Sequence, residues 1–284
     1  MDIFINHKSA DIILDTEKTL GDVLSGIEQW IYPTGNRIQG ILIDGLVLDD
    51  NLGDYFGKNI KEIKKLEIEI SPWCDLAAEA LSALGETCSM FQNAAFDERP
   101  RIVSDWDNSA AARFLATDIK DISILSAHVF SGEGLSIQEL IQIIDERRRE
   151  VTSPGRELIA VQVLVNSIAE RMTELPLDIQ TGKDLRAAET IQHFSGIGEK
   201  LFRIYMVLSS CGLSPEALVI DGLPIRTFIE EFKAALKELS AAYENRDIVL
   251  AGDISEYELA PRLLKFYNAL KEITDSNNPV MTGL

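Results

Sequence analysis

The sequence contains few of the residues that most often carry catalysis. It has three histidines and three cysteines in 284 residues, and their spacing forms no nucleophilic triad, Cys-His pair or metal-ligand motif. No apolar run approaches the ~18–20 residues that a membrane-spanning helix needs. Met1 is followed directly by Asp2, without the basic segment and apolar core of a signal peptide. These absences disfavour the familiar enzyme classes and predict a cytoplasmic protein that needs no cofactor.

The cysteines are too far apart to predict a cross-link. Cys74, Cys88 and Cys211 show no paired spacing, so neither a disulfide framework nor a zinc site follows from them. Free cysteine is among the most buried residue types. We therefore expect all of them to be buried thiols.

Basic residues are also scarce. The formal net charge is −19, and both the first quarter of the chain and the remainder are acidic. Such a field repels nucleic acid phosphate and anionic lipid. The short basic run Arg147 to Arg149 lies between acidic residues and predicts a solvated helix face. The expected partner is another protein with a basic or apolar surface, and neither nucleic acid binding nor membrane insertion is expected.

The first seventy residues predict a small sheet with one helix. Ile3 and Ile5 alternate with polar neighbours, and Asp11 to Asp15 is predicted as the second strand of a hairpin. Thr19 and Asp22 form a capping box at the start of a helix. The apolar residues that follow have helical spacing and are predicted to face the core: Leu20, Val23, Leu24, Ile27 and Ile31.

A second hairpin and a closing strand complete this segment. The strands Ile41 to Ile43 and Leu46 to Leu48 are joined by Asp44-Gly45, a dipeptide that tolerates the positive φ values of a two-residue turn. Leu66 to Ile70 is predicted as the last strand. The predicted order is strand, strand, helix, strand, strand, strand.

This order, the Asp44-Gly45 hairpin, the segment Leu52 to Tyr55 and the closing strand resemble ubiquitin and its β-grasp relatives. The resemblance covers residues 1–72, about a quarter of the chain. Ubiquitin ends in an exposed diglycine tail, whereas Ser71-Pro72 here continues into more protein, so conjugation is not implied.

The resemblance implies a binding surface. Ubiquitin-like modules bind partners mainly through the exposed sheet face around their third and fourth strands, which here would include Leu42 and Leu46. Exposed apolar patches usually mark interaction sites. The alternative is that Leu42 or Leu46 packs against the helical domain.

Residues 73–284 predict an α-helical bundle of about six or seven helices. One predicted helix runs from Asp75 to Ala95 and a second from Asp107 or Asn108 to Phe130. A third begins at Ser136, with Glu139 as its capping partner. Four more are predicted over 158–175, 183–211, 225–242 and 263–273. Their apolar residues recur every three and four positions and are expected to form the core of the bundle. The predicted fold class is therefore α+β, with a ubiquitin-like β-grasp domain at 1–72 followed by a helical domain at 73–284.

Two groups of residues in the helical part could carry chemistry. Asp253, Glu256 and Glu258 could bind a cation or a basic peptide, although Asp253 could equally cap a helix whose first turns contain Pro261. Glu189 and His193 lie one helical turn apart and could bind a metal or transfer a proton, or they could be an ordinary helix contact.

Three functions are consistent with these patterns. The first is a non-enzymatic adaptor or scaffold that uses the ubiquitin-like module and the helical bundle to bind another protein. The second is a chaperone or secretion-linked escort that opens its helical seams to shield an export substrate. The third is an enzyme with an unrecognised site built from Glu189, His193 and the acids of 253–258.

Overall fold

The computed structural model describes residues 1–48, 52–213 and 218–276, and it confirms the predicted α+β class. An N-terminal mixed sheet precedes a mostly helical remainder. The chain forms two compact units. The first unit comprises Met1–Arg148 with Ser210–Leu213, and the second comprises Arg149–Ser209 with Ser214–Leu284. The predicted domain boundary after residue 72 stays a prediction.

A five-stranded sheet occupies the start of the first unit. Its strands have the spatial order β2-β1-β5-β3-β4. The first strand pairs in parallel with the last, and the other pairings are antiparallel. The strands are β1 Asp2–Ile5, β2 Lys8–Ser9, β3 Asn36–Ile43, β4 Leu46–Val47 and β5 Lys65–Pro72.

The first hairpin is tighter than the sequence predicted. Asn6 and His7 adopt positive φ values of 47° and 64° and reverse the chain directly after β1. The second strand is therefore only Lys8–Ser9, and the predicted strand Asp11 to Asp15 is wrong. Beyond this hairpin the chain leaves the sheet, and Ile13 is 83% exposed.

The second hairpin is confirmed together with its turn. Asp44 and Gly45 both have positive φ, at 51° and 85°, as a two-residue turn requires. Asp44 Oδ1 also accepts hydrogen bonds from the backbone N–H groups of Lys64, at 3.0 Å, and Lys65, at 2.8 Å. The turn residue thereby fixes the start of β5 beside the hairpin.

Helix α1, Leu20–Ile31, packs on one face of the sheet. The Thr19–Asp22 capping box is confirmed, and the apolar residues predicted to face the core are all buried. They pack with Ile3, Ile41, Ile43, Leu66 and Ile68 in one core. The short helix α2, Leu52–Phe56, precedes β5.

Five further helices begin in the first unit: α3 Trp73–Asn93, α4 Arg99–Asp107, α5 Ala110–Asp118, α6 Lys120–Phe130 and α7 Ile137–Thr152. The capping pair Ser136–Glu139 is confirmed. The single helix predicted up to Phe130 is wrong, because Ile119 leaves helical backbone angles and separates α5 from α6. Asp75 does not cap α3, since it lies in the first turn after Pro72.

The second unit is built on long helices. The helices are α8 Pro154–Gln180, α9 Asp184–Ser210, α10 Ile225–Glu244, α11 Ile248–Asp253 and α12 Ala260–Ser276. A π-helical segment, Ile254–Leu259, joins α11 to α12. A hairpin of β6 Val219–Ile220 and β7 Leu223–Pro224 precedes α10. The predicted apolar seams of α8 and α10 are buried throughout. The helix predicted over 158–175 continues through Pro176, which lies inside α8, and a Cβ added to Gly252 would come within 2.9 Å of the proline ring.

The prediction of buried free thiols is confirmed for one of the three cysteines and wrong for the other two. Cys88 is a buried free thiol, whereas Cys74 and Cys211 form a disulfide with their Cα atoms 5.9 Å apart. The backbone packs closely beside this bond, because a Cβ on Gly35 would lie 2.4 Å from the carbonyl carbon of Cys211. The two cysteines are 137 residues apart in the sequence, so no local spacing could reveal the pair.

Candidate functional site

The face of the sheet opposite α1 carries a short apolar row. Leu42 pairs with Val47 on one side and Glu67 on the other, and Glu67 pairs with Phe4. Directly opposite residues project from the same face of a sheet. Val47 is 62% exposed, while Leu42 and Phe4 are half-buried. We call Phe4, Leu42 and Val47 the sheet strip.

The structure does not bring the two predicted leucines onto one face. Leu46 pairs with Ile43, which is buried in the core against α1. Because side chains alternate between the two faces of a strand, Leu46 belongs to the row opposite to that of Leu42. Leu46 is nevertheless 70% exposed, at the tip of the hairpin. Val47 therefore takes the place beside Leu42 that the sequence assigned to Leu46.

A cation lies beside the sheet strip. Lys65 Nζ is 4.6 Å from the centroid of the Phe4 ring and 2.8 Å from Glu67 Oε1. This pair neutralises the charge of Glu67 next to the apolar side chains. The sheet strip is consequently small and only locally apolar.

The predicted acids of the second unit lie within one continuous helical segment from α11 to α12. Asp253 is the last residue of α11, and Glu256 and Glu258 lie in the π-helical segment. The side chain of Asp247 accepts a hydrogen bond from the backbone N–H of Leu250 and caps α11. The alternative in which Asp253 starts the helix is therefore wrong.

One of these acids is already paired. Glu258 Oε2 is 2.8 Å from Arg262 Nη1, and Arg262 Nη2 lies 3.4 Å from Glu231 Oε2. The charge and hydrogen bond of Glu256 raise the pKa of the neighbouring Tyr257 hydroxyl. No cluster of three or more metal-ligating side chains occurs within residues 1–48, 52–213 and 218–276. The acids thus form helix-surface contacts and do not converge on one point.

The Glu189–His193 pair lies on an open surface. Both side chains are exposed on α9. His193 borders a groove between α8 and α9 that is lined by Leu164, Arg171 and Glu199 among others, and this lining does not include the acids of 253–258. The arrangement gives no support to a shared catalytic pocket.

Sequence reasoning missed a larger open cavity of about 910 Å³ between helices of the first unit. We call it the α4 groove. Its apolar walls come from α3, α4, α6 and α7 and from the connections that precede α4 and α7: Phe91, Phe96, Pro100, Val103, Val129, Phe130, Leu135 and Ile137. Phe91 and Phe130 pack together with ring centroids 5.1 Å apart, while Phe96 is 86% exposed at the rim.

Arg99 is the basic residue in the lining of the α4 groove, and Asp107 is the acidic one. It is the first residue of α4, and its guanidinium carbon lies 5.0 Å from the centroid of the Phe91 ring. Its Nε is buried without a hydrogen-bond acceptor. The groove therefore combines an apolar surface with an unsatisfied cationic donor.

The strongest electrostatic feature of the second unit is a buried ionic network. Glu150 is 1% exposed and is held by Arg203 at 2.8 Å and Lys200 at 3.4 Å. Lys200 also lies 2.8 Å from Glu157, which Arg149 contacts at 3.2 Å.

The basic run is thus not a simple solvated face. Arg149 belongs to this network, and Arg147 pairs with Asp121 with only 16% of its side chain exposed. The predicted solvated face is wrong for Arg147, whose acidic partner Asp121 is distant in the sequence, whereas the Arg148 and Arg149 side chains are 49% and 59% exposed.

The described residues define an α+β protein with a five-stranded N-terminal sheet, long amphipathic helices and an open apolar groove. Within them, no helix is long and apolar enough to cross a bilayer. The surfaces described above offer apolar and charged contacts on helices and strands.

Comparison with known proteins finds two family models. Residues 1–72, which hold the sheet and α1, match the TP0873 N-terminal domain. Residues 158–269 match a domain of unknown function, DUF8042. An uncharacterized protein of Treponema pallidum (strain Nichols) is 27% identical over 154 residues, which cover 50% of this chain and 76% of that protein. No solved structure matches the chain.

Proposed function

We propose that this chain is a non-enzymatic cytoplasmic adaptor that binds another protein through the α4 groove, with the sheet strip of a ubiquitin-like module as a second contact surface. The observation that carries the proposal is the exposure of Phe96 at the rim of an apolar cavity of about 910 Å³. Leaving a large aromatic side chain in water costs free energy that burial under a partner would recover.

The shape of the α4 groove favours a protein partner over a small molecule. Small-molecule sites enclose most of the ligand surface, whereas this groove is open along Phe96, which is 86% exposed, and Leu135, which is 38% exposed. A protein segment can cover such a rim with its own backbone and side chains. Interface hot spots are typically aromatic side chains of this kind.

A rigid scaffold agrees better with the second unit than an escort that opens its helical seams. Glu150 at 1% exposure is held between Arg203 and Lys200. Separating the helices at this point would break the ionic contacts of Glu150 with Arg203 and Lys200, which are the strong class of hydrogen bond. This favours the adaptor over the escort among the functions that the sequence suggests.

The test is a comparison of wild type with Phe96→Asp. Both proteins are used to capture partners from a lysate of the source organism, and each captured protein is then purified and titrated by calorimetry. We expect a partner whose affinity for Phe96→Asp falls at least tenfold. Leu177→Asp is the matched control, because Leu177 is 57% exposed on α8, outside the groove. Equal affinity for wild type and Phe96→Asp would rule out the groove as the binding surface.

A further inference from the structure

We infer that the α4 groove binds an apolar protein segment bearing a carboxylate, and that Arg99 recognises this carboxylate. The inference rests on the proposed function, because it specifies the chemistry of the partner that the groove would bind. It adds a charge requirement that the apolar walls alone do not impose.

The first argument is the state of the Arg99 side chain. Its Nε is fully buried and has no acceptor. A buried donor without a partner is rare in native proteins and is destabilising. Arg99 forms no ion pair with any residue that the structure describes, and its contact with the Phe91 ring does not satisfy the N–H group. Nε itself is closed to an incoming group, so the accessible terminal N–H groups of the same guanidinium, which are not on an acceptor among the described residues either, are the ones that a carboxylate would bind.

The second argument is the position of the side chain. Arg99 opens α4, so the positive end of the helix dipole adds to its charge. Its neighbour in the lining, Phe91, packs on Phe130 in a tilted arrangement, so the cation lies beside a surface of low polarity. Ionic hydrogen bonds are strongest where water is excluded. A carboxylate is the protein group that matches a guanidinium in both charge and geometry.

The third argument is the difference between Arg99 and a second arginine on α4. Arg101 lies on the same helix with a side chain that is 88% exposed, and it pairs with Asp105 at 3.8 Å. It is therefore a solvated surface cation with an acidic neighbour. Arg99 differs from it in burial, in its aromatic contact and in its lack of a partner. The chain thus provides a matched control two residues away.

The experiment begins with a peptide-display selection against the full-length chain. The selected peptides are synthesised in four forms: as selected, with each Asp or Glu changed to its amide, with a free C-terminus and with an amidated C-terminus. They are titrated by fluorescence anisotropy against wild type, Phe96→Asp, Arg99→Gln, Arg99→Lys and Arg101→Gln. Circular dichroism and thermal melting verify that each variant is folded.

We expect apolar peptides with one carboxylate whose affinity falls at least tenfold for Arg99→Gln and for the peptide that lacks the carboxylate. Arg99→Gln titrated with the peptide that lacks the carboxylate should lose no more affinity than either change alone, because both changes remove the same ion pair. Arg101→Gln should bind like wild type, and Arg99→Lys should retain part of the affinity. The four peptide forms show whether a side chain or the C-terminus supplies the carboxylate.

Three results would overturn the inference. Peptides that lose affinity for Phe96→Asp but bind Arg99→Gln like wild type would leave the proposed function intact and remove the role of Arg99. Peptides indifferent to Phe96→Asp, or a selection that yields none, would remove the proposed function of the groove and the inference with it. Competition by dodecanoate, a small apolar acid, at lower concentration than any peptide would identify a small-molecule site.

Discussion

Arg203 binds the buried carboxylate of Glu150 through two hydrogen bonds. Nη2 donates to Oε1 at 2.8 Å, and Nε donates to Oε2 at 3.1 Å. This fork geometry is the strongest form of an ion pair between side chains. It joins the end of α7 to α9, with Lys200 contacting the same carboxylate from one turn away.

Removal of Arg203 is expected to destabilise the fold strongly. Arg203→Met leaves Glu150 buried with a reduced set of partners, and breaking a buried pair in this way typically costs about 3–5 kcal/mol. The free energy of unfolding from urea titration measures the loss. Arg101→Met removes an exposed pair with Asp105 and should change stability by less than about 1 kcal/mol. Similar losses in both variants would contradict the assigned role of Glu150.

The sheet strip predicts a different pair of contact residues from the one that the sequence suggested. Leu42→Asp with Val47→Asp alters one continuous row, whereas Leu46→Asp alters an exposed tip on the other face. We expect the double variant to weaken binding of a sheet-dependent partner at least tenfold and Leu46→Asp to have little effect. Calorimetric titration with that partner distinguishes them. Loss of binding with Leu46→Asp alone would favour the tip of the hairpin over the sheet strip.

Reduction of the Cys74–Cys211 bond should lower the unfolding temperature. The bond closes a loop across 137 residues, and the chain-entropy model assigns such a loop about 5 kcal/mol as an upper value. Scanning calorimetry with and without a thiol reductant measures the shift, and Cys74→Ala should be insensitive to the reductant. Detection of three reactive thiols in unreduced, denatured protein would show that the bond does not form. Disulfides are rare in the cytoplasm, so the same assay on cells also tests the proposed location.

Cys88 should resist alkylation in the folded protein. Burial raises the pKa of its thiol to about 12, and the thiolate is the reactive form. Reduced native protein treated with iodoacetamide at pH 8 should react at Cys74 and Cys211 only, as measured by mass spectrometry. Because the folded pKa lies above the unfolded one, burial of Cys88 stabilises the fold below about pH 9, and this contribution declines as the pH rises towards 12. Rapid labelling of Cys88 would contradict the assigned burial.

The sequence predicted those features that depend on neighbouring residues. The Thr19–Asp22 box, the Asp44-Gly45 turn and the apolar seam of α8 each follow from a local pattern of residue types. Local predictions of secondary structure failed where the same residue pattern was compatible with two different structures. Asn6-His7 turned the chain before Asp11 to Asp15 could pair, and Ile119 interrupted the helix predicted to reach Phe130.

Features that join distant residues were not predictable in this way. Glu150 and Arg203 are 53 residues apart, and the α4 groove gathers side chains from four helices. Phe96 carried no signal, because a single aromatic residue between two helices is compatible with burial and with exposure. Only the tertiary arrangement shows that Phe96 is exposed and that Arg99 lacks an acceptor.

The disulfide gives the chain a closed covalent circuit from Cys74 to Cys211. A protease that cuts the backbone once inside this circuit does not separate the two products, since the sulfur bridge still links them. The N-terminal sheet, which ends at Pro72, therefore stays attached to the fragment that follows Cys211. Only a cut between Pro72 and Cys74, or reduction followed by a cut, releases the sheet as a free piece.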